Sequence, residues 1–242
     1  MPIKTKLLFQ YDSYLKEFTA KVERIEGSGI VLDQTAFHPV PHGGLDTDTG
    51  VLIATRSKAQ ARVLKAEIRD DVVVHIVDDP SIFSSGDSVL GVIDWDRRYR
   101  MMKLHTAAHV LAAILYQKYN ALITGGFVTS EYSRDDFDIE VEDWKSAFEK
   151  AVVEANSIIS KCIEVRVYWL KREEALKISG IVKLAERVPP EEDVLRVVEI
   201  PGVDVQLDGG PHVKNTCEIG EIKLIKIENR GKKKKRIYYT LA

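Results

Sequence analysis

Ile93-Asp94-Trp95-Asp96-Arg97-Arg98-Tyr99 is the stretch at which the chain changes its period. Upstream of it apolar residues recur at every second position; downstream they recur at every third or fourth. The first pattern belongs to half-buried strands and the second to helices. Phe18, Ala20 and Val22 alternate with polar neighbours, Gly27-Ser28-Gly29 makes a tight turn, and Ile30 to Leu32 resumes a strand. Further short strands are expected at Val51–Ala54, Ala61–Ile68, Val72–Val77 and Ser88–Ile93. Turn signals at Arg69-Asp70-Asp71 and Ser84-Ser85-Gly86-Asp87 separate the later ones. Strands at this spacing predict a small barrel-like or sandwich domain over residues 1–93.

Beyond the switch, Asp96 is an N-cap candidate for a helix running to Tyr119. Its stripe would be Met101, Leu104, Ala108, Leu111 and Leu115. A second helix fits Asp143 to Lys161, with Trp144, Phe148, Val152, Ala155 and Ile159 at helical spacing. Then follow an alternating strand at Ile163, Val165 and Val167, a short helix from Arg172 to Ile178, and Gly180 as its stop. Strands at Leu195–Ile200, Val203–Leu207, Ile222–Ile227 and Arg236–Thr240 complete the chain, the last two joined around Asn229-Arg230-Gly231. Residues 94–242 therefore predict an α+β core with a mostly antiparallel sheet.

Composition narrows the class. With 242 residues, 45% hydrophobic and 30% charged, the chain can bury a sizeable core and is neither disordered nor fibrous. The longest apolar stretch, Ala107 to Tyr116, contains His109 and is far short of the roughly 20 residues a bilayer span needs, so no membrane partner is expected. Met1 to Asp12 lacks the apolar core of a signal peptide. Cys162 and Cys217 are the two cysteines, too few for a disulfide framework, and a reducing cytoplasm is the default reading. The net charge of −2 hides asymmetry: Glu131–Glu149 holds eight acids against two bases, and Lys223–Arg236 eight bases against one acid. The acidic block reads as a solvated face. The basic one is compatible with a polyanion or with a charged hairpin tip.

Chemistry gathers in two short spacings. His105-Thr106-Ala107-Ala108-His109 sets two imidazoles at i and i+4 on one helical face. Asp208-Gly209-Gly210-Pro211-His212 sets a carboxylate and an imidazole across a tight turn. Three nitrogens and one oxygen make a tetrahedral shell for Zn²⁺. The helical pair has no Glu after its first His, so the metalloprotease helix is not matched.

At these residues the chain resembles the free-standing alanyl-tRNA editing proteins, relatives of the editing domain of alanyl-tRNA synthetase. The motifs run almost end to end. They are Leu32-Asp33-Gln34-Thr35-Ala36-Phe37-His38-Pro39, Gly43-Gly44 through Asp48-Thr49-Gly50, the stretch Ile93 to Tyr99, Ser133 to Asp138, Val197-Val198-Glu199-Ile200, and Gly209 through Gly220. The length resembles the medium-length class. Two departures stand out. Asp208 occupies the place of the family's usual cysteine ligand, and a carboxylate oxygen can bind zinc at about 2.0–2.2 Å. Cys217, where the family usually has glycine, is the alternative fourth ligand. Pro41-His42 and Leu45 depart from the glycine-rich motif; His42 reads as a loop histidine, His38 and His75 as structural.

The resemblance implies metal-dependent hydrolysis of serine, and also glycine, from mischarged tRNA(Ala), with one Zn²⁺ on His105, His109, Asp208 and His212. It implies substrate contacts from Thr124, Gly125 and Gly126 and from Gly43 and Gly44. Thr124 would read the serine hydroxyl, with the backbone or Thr129 as alternatives. The acceptor stem would meet Arg97, Arg98, Arg100, Lys232, Lys233, Lys234, Lys235 and Arg236, with Lys103 beside the first cluster. No general base is assigned, and monomer and homodimer stay open. Two other classes also stay open: a tRNA-binding or structural-metal protein without activity, and a metal hydrolase of another ester.

Overall fold

The computed structural model describes residues 4–69, 71–183 and 191–242, so Asp70 of the expected Arg69-Asp70-Asp71 turn and Met1 to Ile3 of the leading segment lie outside the described residues. By its contacts the chain divides into residues 1–100 and 101–242, a division inside the first long helix rather than ahead of it.

In the first unit a short β1 (Lys6–Leu7) precedes β2 (Glu17–Glu26), β3 (Gly29–Leu32), β4 (Gln34–Thr35), β5 (Gly50–Ala54), β6 (Gln60–Arg69), β7 (Val72–Val77) and β8 (Ser88–Ile93). Six of them close a barrel in the order β2-β3-β7-β6-β5-β8, every pairing antiparallel. The alternation read along β2 is what closes it, since Phe18, Ala20 and Val22 point inward beside Ile30, Leu32, Leu52 and Val89. Gly50 is obligatory at one seam: a Cβ there would sit 2.1 Å from the Val92 carbonyl oxygen, where β5 meets β8.

Helix α1 (Trp95–Tyr119) follows without a linker. Its cap is Asp94 and not Asp96: the Asp94 carboxylate accepts from the Arg97 amide at 3.2 Å, one turn into the helix. Nor does α1 bury a single stripe. Met101, Met102, Leu104, Ala107, Val110, Leu111, Ala112, Ala113, Ile114 and Leu115 are all buried, whereas Ala108 is only partly so. A helix apolar around its circumference is a core helix.

The second unit adds β9 (Leu122–Val128), β10 (Ser133–Asp138), α2 (Trp144–Ile159), β11 (Arg166–Lys171), α3 (Arg172–Ala175), β12 (Val194–Ile200), β13 (Asp204–Leu207), β14 (Ile222–Asn229) and β15 (Lys234–Leu241). Two antiparallel sheets result, β14-β15-β10-β9 and β11-β12-β13. Asp143 caps α2 by accepting from the Ser146 amide, and α2 buries Phe148, Val152, Ala155 and Ile159. The strand expected from Ile163 begins at Arg166, and the helix expected to reach Ile178 ends at Ala175.

Two expectations fail here for physical reasons. The acidic block is not simply a solvated face, because Asp135 and Asp136 are buried in β10 at the centre of the sheet. Arg236 donates to both Asp136 oxygens, at 2.6 and 2.9 Å, and Lys234 lies 3.1 Å away, so cross-strand cations offset the burial. The cysteines are also not independent: Cys162, just past α2, is disulfide-bonded to Cys217.

Candidate metal centre

Helix α1 presents His105 and His109 one turn apart, with ring centroids separated by 5.1 Å. Strand β13 ends just before Asp208, and the Gly209-Gly210-Pro211 turn returns the chain so that His212 stacks on His105 at 4.2 Å between centroids. Buried Arg196 on β12 pins that turn, donating to the carbonyls of Asp208 at 2.8 Å and Gly210 at 3.0 Å. The Asp208 carboxylate also accepts from the Gly210 amide at 2.7 Å. The turn is therefore fixed by the protein before any ligand arrives.

All three imidazoles are anchored through Nδ1. His105 Nδ1 faces the Pro211 carbonyl at 3.3 Å, and His109 Nδ1 faces the Asp204 carboxylate at 2.9 Å. His212 Nδ1 lies 3.0 Å from the Thr106 hydroxyl, whose own proton goes to the Met102 carbonyl at 2.9 Å. With its proton so engaged, that hydroxyl turns a lone pair to the ring, so an ion on Nε2 would leave the His212 proton on Nδ1. The remaining Nε2 atoms face Asp208, at 3.5 Å from His105, 3.9 Å from His109 and 3.1 Å from His212. One donor atom from each of the four residues lies within 4.8 Å of the others. Tetrahedral ligands on bonds of about 2.0–2.1 Å stand roughly 3.3 Å apart, so the set could close on one metal ion by drawing inward. Outer partners on Nδ1 are the usual way a protein fixes the ligating tautomer.

The electrostatics suit a cation. Burial pushes the Asp208 carboxyl up, but the His105 charge and hydrogen bonds from all three histidines hold it well below the usual range. Burial, followed by the charge on His105, pushes His212 well below its ordinary value. Burial also pulls His109 down, yet hydrogen bonds to Asp204 and Asp208 outweigh it and bring that imidazole to about 9. Asp204 is in turn clasped by the buried Lys183 ammonium, which also donates to the Val205 carbonyl at 3.0 Å. Asp204, Lys183, Thr106 and Arg196 were missed in the sequence. Only Asp204 left a signal there, since strand alternation sets Asp204, Gln206 and Asp208 on one face.

The other expected residues scatter. Thr124 is exposed at a β-bulge of β9, where register shifts opposite Asp136/Phe137; Gly125 pairs with Asp136 and Gly126 with Asp135. Bulges of this kind re-aim side chains beside sites. Gly43 and Gly44 adopt φ of 57° and 77° in a turn of the barrel unit. Arg97 folds back onto Asp46 and the Thr47 carbonyl, while Arg100 is exposed. Arg98 is a correction: it has no exposed surface and is bonded to Asp48, Ala36 and Ser13, so it cannot reach a phosphate. Lys235 is another. It is buried, and its ammonium donates to Asn229, Gly231 and Lys232 inside the hairpin tip. Arg236 and Lys234 are engaged by Asp136, Lys233 pairs with Glu140 at 3.3 Å and is largely exposed, and Lys232 is exposed. Cys217 is bonded to Cys162, which removes it as the fourth ligand. Among the described residues no helix is long and apolar enough to cross a membrane.

Two family models match this architecture. Residues 195–238, which carry Asp208 and His212, fit the threonyl and alanyl tRNA synthetase second additional domain, and residues 4–97, the barrel unit, fit tRNA synthetases class II (A). The class is thus that of synthetase-related modules built around a histidine-rich centre. Within it the chain belongs to the alanyl-tRNA editing proteins. It is 50% identical over 240 residues to the alanyl-tRNA editing protein AlaX-M of Saccharolobus solfataricus, covering 98% of this chain and 99% of that one. The same-named protein of Methanosarcina barkeri is 40% identical over 243 residues, with coverage of 98% and 99%. The alanine–tRNA ligase of Pyrococcus abyssi is 36% identical over 231 residues, 93% of this chain but 24% of the ligase.

Proposed function

We propose that this chain edits mischarged tRNA(Ala) in trans, hydrolysing the ester that joins serine, and also glycine, to the terminal adenosine. The observation that carries the reading is the convergence of three imidazole nitrogens and the Asp208 carboxylate within 4.8 Å, in a chain half identical to an alanyl-tRNA editing protein. His105, His109, Asp208 and His212 would hold one Zn²⁺. Such an ion polarises an ester carbonyl or lowers the pKa of a bound water to about 7. The chain's own residues do the rest. Asp204, Thr106 and the Pro211 carbonyl would keep the proton of each ligating imidazole on Nδ1, leaving its Nε2 to the ion. Three neutral imidazoles and one carboxylate would leave a divalent centre at net +1, which favours a developing oxyanion.

Thr124 on its bulge would offer a hydroxyl partner to serine; it is exposed here, so alanine is penalised only if the bound aminoacyl end covers Thr124 and leaves it unpaired. Gly125 and Gly126 would let the backbone approach the aminoacyl end. Phosphate contacts fall to the exposed cations, Lys232, Lys233 and Arg100. The reaction belongs in the cytoplasm, where charged tRNA is used.

Ser-, Gly- and Ala-charged tRNA(Ala) incubated with the protein, with and without a chelator, test this directly. Loss of the seryl and glycyl esters, sparing of the alanyl ester, and restoration by zinc after chelation are the expected results. Tight tRNA binding with all three esters intact would make the protein a binding module instead.

A further inference from the structure

Beside the metal centre lies a carboxylate that no ligand role uses. Asp135, on β10, is 6% exposed. Its Oδ2 accepts from the Tyr239 hydroxyl at 2.7 Å and from the Ser133 hydroxyl at 3.2 Å. No described residue donates to Oδ1. Oδ1 is not one of the fully buried polar atoms left without a partner, so it keeps contact with solvent and can accept from a ligand without breaking a protein bond. The strand opposite explains what keeps Oδ1 open. Gly126 on β9 pairs with Asp135, and a Cβ added at Gly126 would stand 2.9 Å from Oδ1. Any other residue at that position would crowd the oxygen. The carboxylate is also close enough to His105 for the two charges to interact.

Building on the editing reading, we infer that the open Oδ1 of Asp135 receives the α-ammonium group of the aminoacyl ester and so orients the ester toward the metal centre. An aminoacyl ester brings one cationic group, and the slot under Gly126 offers it one unpaired anionic acceptor. Charge-assisted bonds of this type are short and about twice as strong as neutral ones. Burial raises the Asp135 carboxyl to about 6, against hydrogen bonds from Tyr239 and Ser133, so the group is still ionised at neutral pH. Asp135 is a binding and positioning residue: it does not supply a proton to the reaction.

The test uses the zinc-loaded full chain and two stable probes, 3′-serylamino-3′-deoxyadenosine and its N-acetyl derivative. The wild type should bind the free amine about 10- to 100-fold more tightly, the range expected for one hydrogen bond to a charged group. Asp135→Asn should bring that ratio close to 1 with metal content unchanged. Gly126→Ala, which keeps the charge but crowds Oδ1 with a Cβ 2.9 Å away, should do the same. With seryl-tRNA, Asp135→Asn should raise KM while kcat stays within a few-fold. An unchanged preference for the amine in both variants would overturn the inference, as would a fall in kcat at constant KM, which marks a proton-transfer role. Failure of the editing reading looks different, since the wild type itself would then leave every aminoacyl-tRNA intact.

Discussion

The barrel unit and the α+β unit each bury cations against carboxylates, and they satisfy them in opposite ways. In the barrel, Arg98 Nε lies 3.0 Å from both Asp48 oxygens, Nη1 donates to the Ser13 carbonyl and Nη2 to the Ala36 carbonyl. Asp48 further accepts from the His38 amide at 2.6 Å. That network is complete within the protein. Around Asp208, by contrast, the protein saturates the outer side of every ring and leaves the inner Nε2 atoms 3.1–3.9 Å from one carboxylate. Saturated buried charge holds a fold together; donor atoms converging on one point mark a place prepared for an ion. Depth of burial alone does not separate the two, since Arg98 and His212 are both buried.

The largest effect should come from breaking the saturated network. Arg98→Met strands the buried Asp48 carboxylate and should cost about 3–5 kcal/mol, as truncating one partner of a buried ion pair does. Denaturant unfolding followed in the Arg98→Met, Asp48→Leu double variant should recover most of it. A loss below about 1 kcal/mol in the single variant would mean that the pair is not the barrel's structural charge.

His75 sharpens the same point through pH. Buried against the Ile30 carbonyl and the Thr35 hydroxyl, it is brought from 6.5 down to about 4 by burial, with the Ile30 bond opposing. Between those values the unfolded chain binds a proton that the folded barrel refuses. Stability should therefore be full above pH 6.5 and fall by about 3 kcal/mol as pH drops to 4. A His75→Gln variant should be flatter over that window; an identical slope in the variant would assign the acid sensitivity elsewhere.

On the metal side the effects should be smaller in energy but confined to the ion. Asp204→Asn removes the charge that orients His109 and should weaken metal binding about 10- to 100-fold. Competition against a chelator well above pH 9, where His109 is neutral with or without Asp204, isolates orientation from proton competition. An unchanged affinity there would reduce Asp204 to a partner of Lys183.

What the sequence disclosed follows from the same contrast. The candidate ligands, which the structure brings together, were legible because their spacing is local: four residues on a helix, four across a Gly-Gly-Pro turn. Arg98 was misread because Arg97-Arg98-Tyr99-Arg100 states charge without stating direction, and successive helical residues point about 100° apart. Lys235 was misread for the strand equivalent, since alternation turns one lysine of a run inward, where it lies 5.5 Å over the Trp144 ring. Periodicity missed β9 because of Gly125-Gly126, and reached β10 only through the resemblance of Ser133–Asp138 to a strand motif, since its aspartates are poor strand formers that their cross-strand partners on β15 make tenable. Asp135 was lost inside that run.

X-ray absorption on the zinc-loaded protein tests the central claim most directly. The structure predicts one ion with three imidazole nitrogens and one carboxylate oxygen at about 2.0–2.2 Å, and loss of the ion in Asp208→Ala. A sulfur neighbour at about 2.3 Å, or full occupancy in Asp208→Ala, would contradict it.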